Sequence, residues 1–409
     1  MSTTSDTLQQ DKGSDLLTVV KEAIPEDWSM LLSAFASSYG IGLLALLGLP
    51  FMIGATIDDL GLSESQAGLL GSLEFLAIMV ASLAAAPFMN RAPRRSLAYI
   101  GVLLAIAGNV LCVYQPQVSY EWLSLYRVIA GLGCGITLAV GNATVSNAAN
   151  PEKMAAQMSV LFVALMAVTM LVFSWAMGAW GYRGMYGALA VCMLLLSPLL
   201  MMLPQYPVEQ SESEEHPHAH KGLISFASFF MLSAMFLFAL RDMSGWAFVE
   251  RIGLDVGYSG NEIGGLLSIQ AVLGISGPLI ASIVGSRFGL KLPLVIGIVA
   301  SGAVYFVMLL LPSSVAAYTV SAMFIGATYF FTLSYLTALA AELDTKGRIV
   351  AASGGFLSAG VALGPLLGGY LVEHFGYSLT SWAVLVMVVL TLIFALQSLR
   401  YATHRAKHE

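Results

Sequence analysis

Four ionisable side chains stand inside long apolar stretches of this 409-residue sequence: Glu74, Arg127, Arg241 and Asp242. Their formal charges sum to zero. A charge held in hydrocarbon costs from about 2.5 to over 10 kcal/mol, so each is expected to have a partner or a task. A carboxyl group that alternates between a dry place beside a guanidinium and a wet place without one is a proton carrier, because desolvation and a nearby cation act on its protonation in opposite senses. The four residues therefore suggest movement of protons rather than bond-making chemistry. No phosphate-binding loop, clustered catalytic set or basic nucleic-acid patch is present, and no cofactor or metal is expected.

The elements that must position them are membrane helices. Hydrophobic residues make up 58% of the chain and charged residues 10%, against roughly a quarter charged in soluble domains. The apolar runs are unbroken over about 20 residues, the length of a helical crossing, and lack the alternation of a barrel strand. Forty glycines suit close helix packing in lipid. Cys112, Cys134 and Cys192 all lie in apolar runs, which suits packing rather than a disulfide framework.

Twelve spans are predicted, at about 30–54, 66–89, 96–115, 121–146, 156–178, 184–203, 223–250, 261–285, 291–311, 315–341, 348–372 and 379–400. Residues 1–28 form a polar N-terminal tail without the layout of a cleaved signal, so the first span is expected to direct insertion. Residues 29–203 and 223–400 make two six-helix units, 204–222 is a polar linker carrying His216, His218 and His220, and 401–409 is a second tail. Lys and Arg collect on the cytoplasmic side. Placing both termini there leaves Arg183 and Arg251 outside, Arg127 and Arg241 within spans, and the other 14 of 18 basic residues inside.

The halves repeat. Arg91 and Arg287, Arg95 and Lys291, Gly101 and Gly297, Gly61 and Gly257, Ser63 and Ser259, and Gly68 and Gly264 are all 196 positions apart. A constant offset over so many turns marks duplication. It sets Gln270 opposite Glu74, while Arg241 and Asp242 face Ala45 and Leu46.

Two six-helix halves with a basic turn after the second span of each resemble the major facilitator superfamily of secondary transporters. The loop motif of that family is matched by Ala86, Asn90, Arg91, Pro93, Arg94 and Arg95, then by Ser282, Ser286, Arg287, Gly289, Leu290 and Lys291; the acidic position is Asn90 in one copy and Ser286 in the other. Arg127 followed by Gly131, Gly133 and Gly135 resembles the fourth-span motif tied to proton coupling. Gly360, Gly364, Pro365, Gly368 and Gly369 resemble the glycine-proline motif of antiporters, displaced from the fifth span to the eleventh. The resemblance implies an all-α membrane protein of two pseudo-symmetric bundles, working as a monomer in the cell membrane on a small-molecule substrate and protons.

Glu74, Asp242 and Arg127 fall roughly 9–12 Å below the outer surface by helical rise. Since the family fold closes spans one and two against seven and eight there, Glu74 is expected to pair with Arg241 across the gate, with Glu74 or Asp242 carrying the proton. Tyr39, Asn142, Trp246, Gln270, Tyr329 and Tyr335 are candidates for the solute cavity, and Gly245 for a bend beside Trp246. The two buried arginines favour an organic anion. Proton-driven efflux of amphipathic compounds is a rival expectation, and a non-transporting sensor or scaffold on the same fold is another.

Overall fold

The computed structural model describes residues 27–89, 91–114, 119–206, 226–285, 287–343 and 348–405, with side chains to residue 401. Asn90, Ser286, His216, His218 and His220 lie outside the described residues, as do almost all of the N-terminal tail and the linker, and residues 406–409 of the C-terminal tail. The described residues form helices and turns throughout.

Ten apolar stretches are long enough to cross a membrane, and two of them, Pro151–Met202 and Arg348–Tyr401, run to 52 and 54 residues. That is more than twice the length a crossing requires. Each contains one glycine that leaves helical geometry, Gly181 (φ 59°, ψ −143°) and Gly376 (φ 68°, ψ 173°). Both conformations are open to glycine and closed to residues with a Cβ. The chain turns there, which divides each stretch into two crossings and gives twelve among the described residues. After the first break Asp59 accepts the Tyr182 backbone N–H, replacing a bond that the helix loses.

The duplication is visible in the caps. Ser63 starts the second span, Glu64–Ala85, and Ser259 starts the eighth, Gly260–Gly274 continued by Ser276–Val284. Each serine accepts from the amide three residues on, and Gln66 or Glu262 reaches back to the serine amide. The reciprocal arrangement satisfies two end donors at once. The remaining spans are Trp28–Leu60, Arg94–Tyr114, Tyr120–Ser146, Lys291–Leu310 and Val315–Leu343, with the seventh in two pieces, Phe226–Trp246 and Val249–Asp255.

Two boundaries differ from expectation. The first span continues to Leu60 and the seventh to Asp255, because Asp58, Asp59 and Arg251 find partners in neighbouring helices rather than in a headgroup layer. Within the first span Ala36–Gly42 is a π-helical turn. Its Ser37 and Ser38 hydroxyls bond the Thr137 carbonyl (2.7 Å) and Asn142 Oδ1 (3.1 Å) of the fourth span.

The eleventh span, in 348–375, holds the bundles together from two faces. Gly360, Gly364 and Gly368 lie against the seventh span at Phe236, Met243 and Ser244, while Gly369 lies against Glu64 and Ser65 of the second span. Pro365 rests on Gly68 and Gly71 of that same span. The amide beside the proline, Leu366 N–H, donates to Ser72 Oγ at 2.9 Å. A Cβ at Gly68, Gly360, Gly364, Gly368 or Gly369 would strike backbone atoms, so smallness is required at each.

Other bonds between the bundles are Ser65 N–H to Glu373, Trp246 Nε1–H to the Leu46 carbonyl, Ser174 to Gly260, Ser268 to Ala167, and Arg251 to Asp58. They fall in the halves of the spans nearest the 61–63 and 256–259 turns. Among the described residues that end is therefore the sealed one. Gly369→Leu is expected to wedge this end apart. A cysteine placed at Ala67, now 1% exposed, should gain reactivity toward a hydrophilic thiol reagent in that variant and stay protected without it.

Candidate functional site

The fourth span meets the second through small residues. Gly131 sits on the Glu74 carbonyl and Ala77, and Gly135 on Ile78 and Ala81. Residues four apart share a helix face, so Arg127, one turn before Gly131, points at Glu74. Arg127 Nη1 donates to Glu74 Oε1 at 3.2 Å and Oε2 at 3.4 Å, and both side chains are 1% exposed. Arg127 Nη2 donates to Asn109 Oδ1 (3.1 Å) and to the Cys112 sulfur (3.4 Å) of the third span. The Tyr186 ring of the sixth span lies 4.3 Å from the guanidinium carbon. Four spans of one bundle thus converge on one cation.

The second cluster occupies the other bundle. Arg241 donates from Nη1 and Nη2 to Ser301 Oγ at 3.2 and 3.3 Å, with its guanidinium carbon 5.1 Å from the Phe238 ring centre. Asp242 Oδ1 is 3.9 Å from Arg241 Nη2, too long for a hydrogen bond, and is otherwise unbonded. Tyr305 of the ninth span faces the same carboxylate. It stands 196 positions after Asn109, so matching places on the third and ninth spans contribute a polar side chain to each cluster. Tyr329 stacks on Phe238 with ring centres 5.0 Å apart, closing the cluster.

The expected Glu74–Arg241 pair across the gate is therefore corrected. Each carboxylate finds its arginine inside its own bundle, because the glycine stripe of the fourth span brings Arg127 to Glu74 and leaves Arg241 facing the ninth span. Gly245 also has a different use: the Tyr305 ring lies on it, in space a Cβ would occupy.

Other sequence candidates separate by place. Tyr39 and Asn142 line a cleft of about 410 Å³ with Ser146, Glu152 and Met158, at the end of the molecule that carries the 147–150 turn. Trp246 is buried in the sealed interface through its bond to Leu46. Gln270, opposite Glu74 in the repeat, is buried with Oε1 unbonded and packs on Gly326. Tyr335 donates to the Gly285 carbonyl (3.1 Å) at the far end of the eighth span, which places it in helix-end packing rather than a cavity.

The loop motif does unequal work. Arg94 is buried, donating to Asn147 Oδ1 (2.5 Å) and to the Met89 carbonyl (3.4 Å), and Arg95 donates twice to the Leu203 carbonyl. These bonds tie the ends of the third, fourth and sixth spans together, while Arg91, Arg287 and Lys291 are exposed. Among the described residues no three His, Cys, Asp or Glu stand close enough to hold a metal ion.

Asn109, Tyr186, Ser301 and Tyr305 are not singled out by the sequence, although Asn109 is an amide in an apolar run, and Cys112, expected only to pack, also accepts from Arg127. Glu250 was missed as well, having been placed at a span end. A void of about 10 Å³ beside Glu74 and Arg127, lined by Leu49, Met52, Thr56, Gly71 and Tyr186, is about the size of one water site.

The sequence profile of the Major Facilitator Superfamily matches residues 30–249 and 230–409. The chain belongs to this superfamily. An uncharacterized MFS-type transporter, YceJ, of Bacillus subtilis (strain 168) is 23% identical over 352 residues, covering 82% of this chain and 88% of that one. Among solved structures, a D-xylose-proton symporter superposes with a TM-score of 0.71 at 16% identity, covering 90% of this chain and 97% of its own. The nucleoside transporter NupG superposes with a TM-score of 0.69 at 15% identity, covering 91% and 99%. This chain is accordingly a multi-pass membrane transporter, not an enzyme.

Breaking a buried ion pair from one side leaves an unpaired charge and costs about 3–5 kcal/mol, whereas replacing both partners with apolar groups is often neutral. Arg127→Met alone is expected to lower the melting temperature of this MFS protein in detergent more than Glu74→Leu combined with Arg127→Met does, as read by thermal unfolding of the purified variants.

Proposed function

We propose that this superfamily member is a proton-coupled secondary transporter of a small organic anion, working by alternating access. Residues 29–203 and 223–400 are the two moving bodies, 204–222 tethers them, and both termini lie in the cytoplasm of a cell membrane. The excess of basic residues on the termini side supports that orientation. It makes the sealed end external and the conformation inward-facing.

The observation that carries the coupling is the Glu74–Arg127 pair, buried at 3.2 Å beside a water-sized void. While Glu74 is ionised, Arg127 is neutralised and has nothing to offer an anion. Protonation of Glu74 removes that counter-charge and frees the guanidinium for a carboxylate, whose planar oxygens suit its paired N–H groups. Proton and anion then load together and the cluster keeps its net charge. Arg241 and Asp242 supply a second, looser site of the same kind in the facing bundle.

The cleft at Tyr39 and Asn142, about 410 Å³, lies within the size range of small-molecule sites, and it opens at the end opposite the seal. The glycine-proline residues of the eleventh span are taken up in packing, so they lend no weight to antiport. The likeness to a D-xylose-proton symporter is consistent with coupling in the direction of symport.

The test is purified protein in liposomes with a proton gradient and a panel of labelled carboxylic acids. Wild-type protein should accumulate at least one acid against its gradient and acidify the lumen. Glu74→Gln should abolish gradient-driven accumulation while solute exchange continues. Accumulation that survives in Glu74→Gln removes this residue from coupling.

A further inference from the structure

At the sealed end the seventh span breaks after Trp246 and resumes as Val249–Asp255. Glu250, in the first turn of the second piece, is 0% exposed, and neither carboxylate oxygen has a hydrogen-bond partner. Its carboxyl lies on Gly54 of the first span, in the opposite bundle, filling the space a Cβ at position 54 would need. The contact is thus part of the seal and exists only while the first and seventh spans are closed on each other.

The charged and titratable groups around it do not supply a counter-ion. From the first span Asp58 faces Glu250, and from its own helix Asp255 does so; both are acidic. Arg251 is also near, but it is committed to Asp58 in the ion pair that bridges the bundles at the rim. From the tenth span comes Tyr318, whose hydroxyl is unbonded and lies against Gly253, with the Tyr258 ring tilted beside it at 5.5 Å between centres. The eighth span contributes Ile263, and its Glu262 is turned back onto Ser259.

An ionised carboxylate enclosed without partners and flanked by two acids is strongly disfavoured, whereas a neutral carboxylic acid in the same place forgoes only hydrogen bonds. When the first and seventh spans part, the same group meets water and carries its charge freely. We propose that Glu250 is a second proton-binding site of this transporter, loaded as the external gate closes and emptied as it opens, so that sealing takes up one proton. This rests on the alternating-access reading above but not on Glu74. Its consequence is a gate that closes more readily in acid, independent of bound solute.

Linkage sets the size of the effect: a one-proton difference between two states changes their ratio by up to about tenfold per pH unit. Spin labels on cysteines replacing Trp122 and Leu379, exposed at the sealed end on opposite bundles, report the separation of the bundles in nanodiscs without substrate. The wild-type protein should shift toward the long distance as pH rises. Glu250→Gln, uncharged at every pH, should hold the short distance and lose the pH dependence. Gly54→Ala, which fills the space the carboxyl occupies, should favour the long distance at every pH and serves as the second variant if Glu250→Gln does not fold. A wild-type distance that ignores pH, or a Glu250→Gln profile that tracks wild type, overturns the proposal. Glu74→Gln should leave this distance profile intact, so loss of coupling through Glu74 and failure of the gate site are read separately.

Discussion

Hydrocarbon gives a buried charge no solvent to lean on, and that constraint explains most of the arrangement inside this transporter. Arg127 and Arg241 can exist at 1% exposure only because each is surrounded by acceptors, a carboxylate and an aromatic ring from its own bundle. Self-contained neutrality lets a bundle rotate as a body without exposing a naked ion at the interface. A pair split across the gate would have to be torn apart at each opening, at a cost of several kcal/mol. With those pairs kept internal, the buried part of the interface is left mostly to glycines, serines and backbone carbonyls, whose contacts are cheap to break and remake, and the Arg251–Asp58 pair between the bundles sits at the partly exposed rim.

Close approach of helices is the means by which those charges meet. Gly131 and Gly135 bring the fourth span onto the second, Gly101 and Gly133 bring the third onto the fourth, and Gly245 admits the Tyr305 ring to the seventh. The π turn at Ala36–Gly42 belongs to the same design. It widens the first span where two serines reach the fourth, at the depth of the Tyr39 and Asn142 cleft. Such turns are frequent at functional sites.

The architecture was readable because its signals are long: runs of about 20 apolar residues, a 196-residue repeat and a Lys/Arg count need no knowledge of side-chain direction. The pairing was harder to read, because it depends on which helix face meets which. Arg127, Gly131 and Gly135 stand on one face at intervals of four, and that stripe already pointed the arginine toward a neighbouring helix. Nothing in the sequence named the second span as that neighbour. Glu250 escaped because hydropathy ends the seventh span at about residue 250, whereas the folded chain continues to Asp255 by handing Arg251 to Asp58. Tyr335 was misread for the opposite reason, since a tyrosine in a span looks the same whether it lines a cavity or caps a helix end.

The eleventh span carries two stripes of small residues on one rod, one set facing a permanent neighbour and the other a transient one. Bulk added at Gly360 or Gly364 would strain assembly of a half, while bulk at Gly369 would strain the meeting of halves. Since these positions alternate within three helical turns, drift at this rod is scarcely free anywhere. Tuning how firmly the transporter shuts is thus pushed to the far side of the contact, onto the second span, where a change at Ser72 would loosen the seal without disturbing how the C-terminal half holds together.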